Sequence, residues 1–313
     1  MIRRYLVQSK HLFKYNSYYS TTNKMGDLKD TKKSRIGMIQ ICSLNNKETN
    51  FQKCKNLIDK MLMKEGKVDL ICLPENFAFI GGGNYQMESR DNAEFIDQPD
   101  GIISRYQKIA KDNRVWLSLG GFHEKIKNNP EMIRNCHLII DSDGTVVSQY
   151  HKMHLFDVDI PSKGVKMTES KVVERGNDIV VVPNTPVGTL GLSVCYDVRF
   201  PELYVSLVLK GAQVILVPAA FMKATGQAHW KPLLQARAIE TQCYVVAAAQ
   251  CGQHHAKRES YGHSLMINPW GEILQELPDQ EDYAICEIDH DLISTVRQNI
   301  PVQQHRQPSN YLK

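Results

Sequence analysis

Short apolar runs alternate with stretches of helical period along most of this chain, and that alternation limits the possible folds more than any other feature. Ile36–Cys42, Val68–Leu73 and Val115–Phe122 read as buried strands. Between them, Phe51, Cys54, Leu57, Ile58, Met61 and Leu62 recur at helical spacing within residues 45–64, and Ile102–Lys111 repeats the pattern. Cys136–Ile140 and Thr145–Tyr150 flank Asp143-Gly144, a pair suited to a tight turn with positive φ, so a hairpin is predicted there. The second half adds strand-like runs at residues 179–182, 188–194, 214–217, 244–249, 264–267 and 283–288. Helical patterns lie at 201–210 and 228–242, and a turn at Asn268–Gly271. With no low-complexity linker in between, residues 35–300 are expected to form one α/β domain with both parallel crossovers and antiparallel hairpins.

Composition narrows the classes. Across 313 residues, 42% are hydrophobic and 23% charged, the balance of a globular chain. A net charge of +4, much of it near the N-terminus, is too small and too scattered to argue for a nucleic-acid partner. No apolar run is long enough to cross a bilayer. The eight cysteines include no Cys-x-x-Cys pair, so neither a zinc site nor a redox pair is indicated, and their use fits a reducing compartment.

The ends read differently from the middle. Residues 1–24 carry five Lys or Arg and no acid, the composition of a mitochondrial transit peptide; a plain polar tail is the competing reading. Met25 offers a second start that would yield a cytoplasmic form, and the extension is taken to run to residue 34. Residues 301–313, rich in Gln, are expected to lie extended along the surface or a neighbouring subunit.

Three strand ends carry candidate chemistry. Cys195 follows the apolar run Leu190–Val194 and precedes a helical pattern, a junction where backbone N–H groups favour a thiolate or an oxyanion. Glu75 follows Val68–Leu73 and Pro74; desolvation there is expected to raise its pKa into the range of a general base. Lys152 follows the predicted hairpin and offers an ammonium for a developing oxyanion; an ordinary surface lysine is the alternative. His151 and His154 lack a third ligand at a metal-site spacing. A Cys195–His154 dyad is the rival to the glutamate reading, with packed structural histidines favoured over it, and His254-His255 reads as solvated loop.

Taken together, Leu73-Pro-Glu75, Tyr150-His-Lys152-Met-His-Leu-Phe156 and Gly191-Leu-Ser-Val-Cys195-Tyr-Asp-Val-Arg199-Phe-Pro-Glu202 resemble the three signatures of the nitrilase superfamily of carbon–nitrogen hydrolases. The text His154–Pro161 and Tyr196–Phe200 is most similar to its Nit branch, whose members are ω-amidases and deaminated glutathione amidases. The resemblance implies a four-layer α-β-β-α sandwich and a Glu75–Lys152–Cys195 triad, with Glu169 as a second glutamate that positions Lys152. It implies no metal or organic cofactor, and a homodimer or higher homo-oligomer joined partly through the C-terminal tail.

The expected reaction is hydrolysis of deaminated glutathione to 2-oxoglutarate and cysteinylglycine through a cysteine thioester. An ω-amidase acting on α-ketoglutaramate or α-ketosuccinamate is the nearest rival. A catalytically silent signalling protein on the same fold is the reading from another class. For substrate binding, Arg199 is expected either to grip a carboxylate or to pair with Glu202 or Asp197. The Tyr196 N–H is expected in the oxyanion site. Phe221 and Met222 are candidates for the pocket wall, and Phe77 with Gly81–Gly83 for its lip.

Overall fold

The computed structural model describes residues 33–163, 165–307 and 310. The predicted leader and Met25 lie outside them. In chain order the first half contains β1 (Ser34–Gln40), α1 (Lys47–Glu65), β2 (Leu70–Leu73), α2 (Tyr85–Asp91), α3 (Ile102–Asn113), β3 (Trp116–Lys125), β4 (Ile133–Ile140) and β5 (Val146–His151). A small hairpin, β6 (Asp157–Ile160) and β7 (Val165–Thr168), leads into the second half. There follow β8 (Val181–Thr185), β9 (Gly188–Leu192), α4 (Pro201–Leu209), β10 (Val214–Leu216), α5 (Lys223–Thr241) and β11 (Tyr244–Ala247). The chain ends with β12 (Cys251–His255), β13 (Arg258–Tyr261), β14 (Leu265–Ile267), β15 (Ile273–Glu276), β16 (Asp282–Ile288), α6 (His290–Asn299) and α7 (Val302–His305).

Two six-stranded sheets result, with orders β16-β1-β2-β3-β4-β5 and β15-β14-β11-β10-β9-β8. Each has the same plan. Three parallel strands (β1, β2, β3 or β9, β10, β11) are extended on one side by two antiparallel strands and on the other by one. The parallel strands require crossovers, and α1, α4 and α5 serve as such.

Strand alternation builds the layers. Ile36, Met38, Leu70 and Cys72 join the core shared with Leu190, Val214 and Leu216 of the second sheet. The alternate residues Ile39, Ile71 and Leu73 face the other way, against Phe51, Cys54, Ile58 and Met61 of α1 and Ile102, Tyr106 and Ile109 of α3. On the far side Leu207, Trp230, Leu234 and Ala238 of α4 and α5 cover the second sheet. The four-layer α-β-β-α sandwich is therefore present. Helix α1 starts where the Asn46 side chain accepts the Thr49 N–H and stops at Gly66, whose φ of 74° only glycine adopts readily.

Three expectations need correction. Helix α5 begins at Lys223 rather than Ala228, because Thr225 and Gly226 are already buried on its inner face. Residues 302–305 form the short helix α7 instead of an extended tail; Gln303 Nε2 and Arg306 Nη2 each donate to the Glu240 carbonyl at 3.0 Å, anchoring the segment on the end of α5. His254 is buried in β12, where its ring bonds the Ser43 carbonyl and Ser260 Oγ, both at 2.8 Å.

Candidate active site

The strand ends named by the sequence converge. Glu75 lies just beyond β2, Lys152 just beyond β5, Glu169 after β7 and Cys195 after β9, and all four line one cleft. Glu75, Lys152 and Glu169 are at most 3% exposed and Cys195 8%.

Lys152 is held between two carboxylates. Its Nζ lies 3.0 Å from Glu75 Oε1 and 3.1 and 3.0 Å from the two oxygens of Glu169. Glu169 is fixed in turn by the Phe156 N–H, which donates to its Oε2 at 2.7 Å. Asn135, in the middle of β4, donates through Nδ2 to both acids, to Glu75 Oε1 at 2.9 Å and to Glu169 Oε1 at 3.3 Å. Glu75 Oε2 accepts the Ala220 N–H at 2.9 Å, and the carboxylate is also hydrogen-bonded to the Cys195 thiol.

These contacts decide the protonation state. Burial by itself raises the Glu75 pKa, as the sequence reading expected. The adjacent Lys152 ammonium and the hydrogen bonds from Cys195, Lys152 and Asn135 outweigh it, leaving Glu75 below its ordinary 4.5. Burial and then the Glu75 charge push the Cys195 thiol well above its ordinary 9.0. The resting pair is thus a carboxylate hydrogen-bonded to a protonated thiol.

Cys195 sits on a strained turn. Its φ is 49°, a region few non-glycine residues occupy, and its N–H donates to the Pro218 carbonyl at 2.8 Å. The 3-10 turn Cys195–Arg199 is braced by Asp197, a fully buried carboxylate. Asp197 accepts the Val194 N–H at 2.8 Å, the Tyr150 hydroxyl at 2.7 Å and His154 Nδ1 at 2.8 Å. His154, stacked on Phe200 with ring centroids 3.7 Å apart, thus holds the turn instead of serving the thiol. His151 bonds Glu124 Oε2 at 2.9 Å. Tyr196 follows Cys195 directly in this turn and lines the cleft.

Two glycines make room for the glutamate. In β3 the register shifts between Leu119 and Phe122, and Gly121 there has φ 61°. A Cβ at 121 would lie 2.4 Å from Glu75 Cγ, and one at Gly120 would lie 2.0 Å from Pro218 Cβ. The bulge lets the loop after β2 and the loop after β10 meet.

The wall around this centre is partly as expected. Tyr196, Phe221 and Met222 line the cleft, and Phe221 leans on Trp230 at 4.9 Å. Phe77 is fully buried against Tyr106 and forms core, not lip. Arg199 is absent from the lining. Its guanidinium lies over the Tyr196 and Phe221 rings at 5.7 and 5.2 Å and reaches His229 Nδ1 at 3.3 Å, and it forms neither expected acid pair. The guanidinium that does line the cleft belongs to Arg258 at the start of β13. It donates to the Ala220 carbonyl at 2.9 Å and approaches Met167 Sδ at 3.8 Å. Asn135, the Gly120-Gly121 bulge and Arg258 were not anticipated. A polar residue just before the run 136–140 and a glycine pair inside a strand were the available signals.

Among the described residues, the grouping with spacing suited to a metal ion is Glu124, Cys136 and His151, which shares no residue with the cleft. All eight cysteines are free.

This arrangement can move a proton from sulfur to carboxylate, stabilise a nearby negative charge with Lys152, and exclude bulk water while doing so. Deaminated glutathione amidase of Dictyostelium discoideum is 65% identical over 282 residues, covering 90% of this chain and 96% of that protein. The human protein of the same name is 42% identical over 282 residues, covering 88% and 83%. The crystal structure of Caenorhabditis elegans NitFhit superposes with a TM-score of 0.81 at 43% identity, covering 89% of this chain and 66% of the longer fusion. Saccharomyces cerevisiae Nit3, a member of branch 10 of the nitrilase superfamily, gives 0.77 at 26% identity, covering 88% and 96%. Residues 35–298 match the carbon-nitrogen hydrolase family, and the chain belongs to it.

Proposed function

We propose that this chain is a deaminated glutathione amidase, hydrolysing the amide to 2-oxoglutarate and cysteinylglycine. The observation that carries the reading is the 65% identity, over nearly the whole of both chains, to a protein of that name. Arg258 supports an anionic substrate: it is a guanidinium in the cleft whose hydrogen bonds go to a carbonyl and a thioether instead of a carboxylate.

The roles follow from the contacts. Glu75 takes the proton of Cys195 as the sulfur attacks the amide carbon. The carbonyl oxygen becomes an oxyanion, held by Lys152 and the Tyr196 N–H. As the intermediate collapses, Glu75 returns the proton to the departing amine of cysteinylglycine, leaving a thioester on Cys195. Water then enters and gives its proton to Glu75 as its oxygen attacks the thioester. Collapse expels the sulfur, which regains a proton, and frees 2-oxoglutarate. Glu169 and Asn135 position Lys152 and Glu75. The basic leader supports a mitochondrial form, and a start at Met25 a cytoplasmic one.

The test is a product assay with deaminated glutathione and α-ketoglutaramate side by side. A kcat/KM for the first no better than for the second would sink the substrate assignment. Cys195→Ala is expected to lower turnover by roughly 10⁶-fold and to abolish the acyl-enzyme seen by mass spectrometry. Retained turnover would remove the thioester mechanism.

A further inference from the structure

Beside the catalytic cleft lies a second, outer groove, and Asn76, Met167, Met222 and Arg258 line both. The outer walls are the Gly81–Gly83 loop on one side and the β12–β13 turn on the other, with Lys166 at the end of the β6–β7 hairpin. The groove is cationic in an uneven way. Lys166 is already paired, 2.8 Å from Asp159. His255 is held below its ordinary 6.5 by burial and by Arg258, so it is neutral near pH 7. The nearby acid, Glu88, has turned its carboxylate into the loop, where it accepts the N–H groups of Gly82, Gly83 and Asn84. That leaves Lys257 at the exposed tip of the β12–β13 turn, and Arg258 beside it, as two adjacent positive charges without a carboxylate partner among the described residues.

Alternation along β13 would normally send neighbours to opposite faces. Here both line the groove, because Lys257 belongs to the turn while Arg258 begins the strand. A substrate bound at Cys195 has one arm that must leave. In deaminated glutathione that arm is two residues long and ends in a carboxylate, so it spans about 7 Å from the scissile nitrogen. The outer groove adjoins the cleft at Arg258 and offers that arm a path outward.

We propose that this outer groove is the leaving-arm subsite, and that Lys257 reads the terminal carboxylate of the departing peptide as it passes Arg258. The proposal rests on the substrate reading above. It adds that selectivity for a peptide amide over a primary amide is set at the rim, away from the reacting atoms.

The experiment compares two substrates with an identical acyl half: deaminated glutathione, which has the anionic leaving arm, and α-ketoglutaramate, which has none. Any effect on the acyl half cancels in the ratio of their kcat/KM values. Replacing an exposed lysine should change that ratio modestly. Lys257→Gln is expected to lower it about threefold and Lys257→Glu roughly tenfold, with the wild-type ratio falling as salt is raised. Blocking the glycine carboxylate as its methyl ester should cost the wild type about as much as Lys257→Gln does, and should cost that variant nothing further. If wild type hydrolyses deaminated glutathione well but neither Lys257 variant alters the ratio, the subsite assignment is wrong while the function stands. If wild type does not favour deaminated glutathione at all, the substrate reading has failed first.

Discussion

The first sheet brings charge to the cleft through side chains that hold one another, whereas the second brings a thiol through a bent backbone. Glu75, Lys152 and Asn135 come from the ends and middle of β2, β5 and β4, and each is fixed by hydrogen bonds to the others. Cys195 comes from the end of β9 and is aimed by a positive φ, with Asp197 and His154 securing the turn from behind. The same strand plan thus supports two ways of placing a reactive group. A buried ion network is sensitive to the loss of any partner, since a charge left alone in the interior is costly. A braced turn is sensitive to whatever relaxes the backbone.

That contrast can be broken at several points. The largest effect is expected from Glu75→Gln, which keeps the volume but cannot accept the thiol proton; kcat should fall roughly 10³-fold, measured by stopped assay on either amide. Near-normal turnover would mean that another group takes the proton. A smaller effect is expected from Asn135→Ala, roughly tenfold in kcat, the scale of one hydrogen bond to a charged group.

Asn135→Ala also carries a pH signature. Asn135 helps hold the Glu75 pKa below 4.5, so its removal should move the acid limb of kcat/KM to higher pH. An unmoved limb would make Asn135 merely structural. The wild-type sign is fixed by the same fact. A depressed folded-state pKa stabilises the fold at pH above the usual carboxylate value, and that contribution is lost as the pH falls through the lower one.

His154→Ala tests the second sheet's device. It removes one bond to a buried carboxylate and one stacked ring, so thermal stability should drop by roughly 1–3 kcal/mol while acylation persists. If acylation vanished with the fold intact, a Cys195–His154 dyad would replace the present account.

How much of this was legible depended on where each residue sits. Glu75, Lys152 and Cys195 each end an apolar run, so sequence pattern alone placed them at strand ends, and family resemblance joined them and added Glu169. Asn135 was hidden because the predicted strand begins only at Cys136, whereas β4 starts at Ile133 and carries Asn135 within it. Arg258 was hidden in a polar hairpin with little apolar period, while Arg199 stood out through nearness in sequence to Cys195. In space the 3-10 turn carries Arg199 outward across two rings. The net lowering of the Glu75 pKa was likewise invisible, because it depends on the Lys152 charge and on hydrogen bonds from Cys195, Lys152 and Asn135, which come from separate elements.

The buried, protonated cysteines have a practical consequence. Burial holds all eight above the ordinary thiol pKa of 9.0, Cys195 included. General alkylating reagents should therefore find little thiolate at neutral pH. A substrate-shaped electrophile that enters the cleft meets Cys195, a thiol with the Glu75 carboxylate beside it. Such a reagent would act as a counter, consuming one equivalent per working active centre and reporting what fraction of a preparation is competent.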